Sequence, residues 1–92
     1  MAKVNQIMIV VEGIGGFTID SYMGVWFDNE EGMYWETHAS MLNETHYESL
    51  YSSFMEMMHE VDESEWFELS LVEFKRIMEQ LFQCYRIMKG EL

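Results

Sequence analysis

Between Phe17 and Met41 the candidate core positions keep to odd numbers. They are Phe17, Ile19, Met23, Val25 and Phe27, then Met33, Trp35 and Thr37, with Ser21 the one interruption. Side chains alternate across a strand, so residues of one parity share a face, and this stretch is constrained to be a ribbon with one greasy side. The even positions carry something else: Asp20, Tyr22, Trp26, Tyr34 and Glu36, aromatics mixed with carboxylates. Asp28-Asn29-Glu30-Glu31-Gly32 separates the two halves and reads as the turn of a hairpin, with Phe17–Phe27 as one strand and Met33–His38 as the next.

A further strand precedes them. Val4–Glu12 is rich in β-branched residues, and its Ile7, Ile9 and Val11 alternate with Gln6, Met8, Val10 and Glu12. Gly13-Ile14-Gly15-Gly16 then reads as a turn or bulge. It fits neither the dinucleotide nor the phosphate-loop spacing, and a strand follows it where a helix would be needed.

After the ribbon the period changes from 2 to 3.6. In Thr45–Val61 the apolar residues Tyr47, Leu50, Tyr51, Phe54, Met57, Met58 and Val61 form a helical stripe, and Thr45–Glu48 has the form of a capping box. Ser70–Glu73 is a second capping box. It opens a longer amphipathic helix through Leu71, Phe74, Ile77, Met78, Leu81, Phe82, Tyr85 and Met88, with Gly90 placed to stop it. Trp66–Leu69 reads as a short fourth strand or an extended connection. The expected fold is therefore α+β: a three- to four-stranded antiparallel sheet with two amphipathic helices on one face, in a single domain over residues 1–92. The opposite sheet face stays at least partly wet.

Charge narrows the function. The chain has 17 acidic and 5 basic residues, a formal net charge of −12. Residues 1–70 carry a net −13 and residues 71–92 a net +1, the bases there being Lys75, Arg76, Arg86 and Lys89. Such a balance disfavours direct binding to duplex DNA or an anionic membrane, and it points to a basic partner. In cells, basic surfaces are mostly those built to hold nucleic acid. The apolar run Ile7–Val11 is too short for a signal-peptide core or a membrane span, and Cys84 is a lone cysteine, so the expectation is a protein of the reducing cytoplasm.

Chemistry-bearing constellations are few. His38, His46, His59 and Cys84 match no zinc spacing, and the acidic turn departs from a calcium loop at its Gly and at its twelfth position. Nothing places a nucleophile beside a base. The reading is a non-enzyme without metal or cofactor. Its candidate contact surface is Asp20, Trp26, Asp28, Glu30, Glu31, Tyr34 and Glu36, with the aromatics as anchors and the carboxylates selecting a basic partner.

In its size, its charge, the acidic region Met1–Ser70 and the turn Asp28–Glu31, the chain resembles the small acidic inhibitors that phages encode against host defence, the anti-CRISPR and anti-restriction proteins. That resemblance implies binding to a nucleic-acid-handling effector, a basic protein surface or ribonucleoprotein, and blocking its nucleic-acid site in the host cytoplasm. Lys75, Arg76, Arg86 and Lys89 are then the candidates to touch a guide strand or an acidic neighbour in the same assembly. The rival expectation is a structural or interaction module, for instance a homodimer pairing sheet edges or helix faces, acidic only for solubility.

Overall fold

A computed structural model describes residues 5–61 and 69–90. Four strands form one antiparallel sheet in chain order: β1 (Gln6–Val11), β2 (Gly15–Asp20), β3 (Gly24–Asp28) and β4 (Tyr34–His38). A single 3-10 turn, Ala39–Met41, leads to α1 (Tyr47–Val61), and α2 (Leu71–Met88) follows. α1 packs over β4 and α2 over β1 and β2, so both helices lie on the odd-numbered face. This is the expected α+β layering.

The fourth strand has an unexpected origin. Phe17–Phe27 is two strands with a tight hairpin between them. The register pairs Phe17 with Phe27 and Ile19 with Val25. Asp20 makes the turn: its Oδ1 accepts the backbone N–H of Tyr22 at 2.9 Å and of Gly24 at 2.8 Å, the way a short carboxylate imitates a backbone turn. Met23 then takes a φ of 72°, a left-handed conformation that few non-glycine residues adopt. Five residues separate Ile19 from Val25, an odd number, so parity survives the reversal and odd positions stay on the core side. The strand or connection expected at Trp66–Leu69 falls mostly outside the described residues.

The core is aromatic. Phe17, Phe27, Phe54 and Phe74 are fully buried and Trp35 is 6% exposed. Phe54 of α1 sits at the centre, its ring 5.3 Å from Phe17, 5.0 Å from Phe27, 5.5 Å from Trp35 and 5.5 Å from Phe74. Most of these pairs are tilted or edge-to-face, the arrangements the ring quadrupoles favour. The indole N–H of Trp35 is not stranded, since it donates to Ser53 Oγ at 3.1 Å. Tyr51 donates its hydroxyl to the Leu69 carbonyl and so ties α1 to the segment entering α2.

Helix starts follow different routes. At α2 the capping box is complete: Ser70 Oγ accepts the Glu73 N–H at 3.1 Å and Glu73 Oε1 accepts the Ser70 N–H at 3.2 Å. Ahead of α1 the described bonds come from Asn43, whose Oδ1 accepts the Thr45 N–H at 3.1 Å and pairs with His46 Nδ1 at 2.9 Å. His38 likewise caps the 3-10 turn through Nδ1 on the Ser40 N–H.

Candidate functional site: the outer sheet face

With both helices on the odd face, the even residues of the sheet face outward in three rows set by the strand register. One row is Val10–Gly16–Asp28–Tyr34, the next Met8–Thr18–Trp26–Glu36, and the last runs from Gln6 and Asp20 to Gly24 and His38. Thr18 is only 5% exposed although no helix covers it. Its cross-strand neighbours Met8 and Trp26 are long enough to close over it.

The candidate contact residues fall into three groups. Trp26, Asp28, Tyr34 and Glu36 lie side by side on β3 and β4, Trp26 opposite Glu36 and Asp28 opposite Tyr34. Glu30 and Glu31 are exposed in the adjoining turn. Asp20 stands apart, because its carboxylate is engaged in the β2–β3 turn at the far end of β3. Tyr34, 54% exposed, donates its hydroxyl to Glu36 Oε2 at 2.7 Å. That hydrogen bond, with the Glu36 and Asp28 charges beside it, raises the Tyr34 pKa above its ordinary value of 10.0. The hydrogen bond places the phenol beside the Glu36 carboxylate on the same strand.

In a four-strand meander the first and third turns lie at the same end. Here that brings the β1–β2 turn next to the acidic β3–β4 turn, and Asn29 fastens them together. Its Nδ2 donates to the Ile14 carbonyl at 3.1 Å, while its Oδ1 accepts the N–H of Glu31 and of Met33, both at 3.1 Å. Between the turns lies a groove of about 660 Å³. Met8 and Val10 form one wall, Asp28, Glu30 and Glu31 the other, and Gly15 and Gly16 the floor. A Cβ on Gly15 would stand 2.6 Å from the Asp28 carbonyl oxygen, and one on Gly16 would stand 2.8 Å from Met8 Sδ. At Gly15 the obstacles are backbone and the buried Phe27 ring, so glycine is required there, whereas at Gly16 the obstacle is the end of the Met8 side chain, which can swing aside.

Sequence reasoning missed Asn29, Met8, Val10 and Gly16 as parts of a site. Asn in an acidic turn and two glycines opening a strand were the available signals, but their meaning depends on two hairpin ends meeting. Among the described residues, no group of three or more His, Cys, Asp or Glu is arranged to hold a metal ion. No described helix is long and apolar enough to cross a membrane.

Of the four bases near the C-terminus, Lys75 pairs with Glu44 at 3.2 Å, and Lys89 Nζ lies 5.7 Å from the Tyr85 ring centroid.

Residues 2–89 match the model of a protein family, the domain of unknown function DUF7200. The chain belongs to that family. No curated protein and no solved structure matches it. For this DUF7200 chain, the chemistry of the outer face is therefore the ground for a functional reading.

Proposed function

We propose that this protein is a non-enzymatic binding protein that engages the basic surface of a nucleic-acid-handling effector and blocks nucleic-acid access, as phage-encoded inhibitors of host defence do in the bacterial cytoplasm. The observation that carries the reading is the outer β3–β4 surface, where Trp26, Asp28, Tyr34 and Glu36 stand in register beside Glu30 and Glu31 without a base among them. Carboxylates fixed on a paired sheet and a tethered turn need little ordering on binding, which favours affinity. Duplex DNA presents about one charge per 1.7 Å of axis, and its binding channels are lined with Lys and Arg to match. An acidic face meeting such a channel gains encounter rate from long-range attraction, and Trp26 and Tyr34 supply contact at short range.

The test is the triple substitution Asp28→Lys, Glu30→Lys, Glu31→Lys in a target-binding or cleavage assay with a CRISPR surveillance complex or restriction enzyme retained from a bacterial lysate. Inhibition that falls steeply with salt in the native chain and disappears in the variant is the expected result. Inhibition unchanged by the charge reversal removes this face from the mechanism.

A second reading has its own support. β1 is an outer strand with no charged residue from Gln6 to Val11, and it exposes Met8 and Val10. Its outward backbone groups are a template for pairing with the β1 of a second copy. Sedimentation at low and high salt separates the two readings, because a dimer joined this way is insensitive to salt.

A further inference from the structure

The groove between the two hairpin turns has a more specific chemistry than the acidic face around it. Strands lie about 4.8 Å apart, so β1 and β3 stand about 10 Å from one another with β2 between them. In the row Val10–Gly16–Asp28 the middle residue has no side chain and the end of the Met8 side chain lies over it, so the aliphatic side of the groove reaches across β2 toward the carboxylates of β3 and its turn. Glu30 and Glu31 extend the carboxylate wall, and Glu12 stands at the rim. Every ionisable group lining the groove is an acid. None of these four carboxylates is in an ion pair with another described residue. Val10 is 68% exposed and Met8 57% exposed, so the aliphatic wall is open to an occupant.

We infer that this groove seats the side chain of a single arginine from the protein's partner. Three methylenes of an arginine stem lie along Met8 and Val10, and the guanidinium, with five N–H donors, meets Asp28, Glu30 and Glu31. Arginine fits better than lysine because its head is weakly hydrated and planar, tolerating an apolar wall on one side and forking to several carboxylates on the other. Met8 is suited to its place, since an unbranched thioether repacks around an incoming chain. The inference rests on the reading that the partner surface is basic, and it adds where on this protein that surface is gripped.

The intact chain, labelled with nitrogen-15, is titrated by NMR with the blocked tripeptides acetyl-Gly-Arg-Gly-amide, its lysine counterpart and its citrulline counterpart, the last a neutral isostere. The arginine peptide is expected to shift the amides of Gly13, Gly15, Gly16 and Asn29 saturably. It should bind at least fivefold more tightly than the lysine peptide, and the citrulline peptide should leave those amides unmoved. Val10→Ser, at an exposed position that keeps every charge, should weaken arginine binding threefold or more, and Asp28→Asn with Glu30→Gln and Glu31→Gln should abolish it. Binding unaffected by Val10→Ser overturns the inference. So do equal affinities for arginine and lysine, or shifts spread over Glu48, Glu56 and Glu60 of α1. The titration contains no partner protein, so a failed groove is seen separately from a failed interaction with the effector.

Discussion

On its inner face the sheet presents Phe17, Ile19, Val25 and Phe27, none more than 1% exposed. On its outer face the residues alternating with them, Thr18, Trp26 and Asp28, pass from buried through half-buried to exposed. The same strands thus obey two sets of constraints. Inside, volume decides, because five aromatic rings must fill the space between sheet and helices without a void. Outside, volume is free and charge, reach and the absence of a side chain at Gly16 do the shaping. Substitutions should therefore separate cleanly into those that damage the fold and those that damage only binding.

The largest effect expected is on the inner face. Phe54→Ala removes a buried ring with four others within 5.5 Å of it, and it should cost about 3–5 kcal/mol of stability. That is a large share of the roughly 5–15 kcal/mol typical of a domain, and a denaturation midpoint measured in urea reads it directly. Trp26→Ala, one residue from the inner-face Phe27, should cost less, about 2 kcal/mol, because the indole is partly exposed and leaves no closed cavity behind. Partner binding should fall by tenfold or more in the same variant. Equal destabilisation by the two substitutions would break the distinction between the faces.

The smallest effect concerns pH. Burial, followed by the charges of Glu79 and Glu44, raises the Tyr47 pKa above 10.0. A phenol whose folded pKa exceeds its unfolded one lends stability that is complete below pH about 10 and is lost as pH rises through the folded value. Tyr47→Phe should leave stability at pH 7 nearly unchanged and flatten the alkaline decline in a series of unfolding curves. On the outer face, Glu36→Gln should bring the Tyr34 titration back toward 10, because a neutral amide no longer favours the protonated phenol.

Much of this arrangement was legible in the sequence. The parity of Phe17, Ile19, Val25, Phe27 and Trp35 revealed which face is the core, and the stripes in Tyr47–Met58 and Leu71–Met88 revealed both helices. The Ser70–Glu73 capping box is present as read. The hairpin at Asp20–Gly24 was hidden, because the left-handed position is held by Met23 and the glycine stands one residue later. Its odd length left the alternation of apolar residues intact. The eleven-residue span of Phe17–Phe27, long beside a usual strand of five or six, was the remaining clue. Asp20 accordingly had the look of a surface contact while its carboxylate serves the turn. The groove was illegible for a different reason: Val10, Gly16 and Asp28 are neighbours only through register.

Because each strand pairs with the one before it, the sheet can assemble by zipping from hairpin to hairpin, closing only short loops at each step. Local connections of this kind are associated with fast folding, and docking two helices adds few distant closures. The chain also contains no proline, so the peptide-bond isomerisation that delays many proteins by tens of seconds has no place here. Rapid maturation of a newly made molecule is the expected consequence. For a protein whose proposed task is to reach an effector before that effector reaches its nucleic acid, promptness of maturation is itself a functional property.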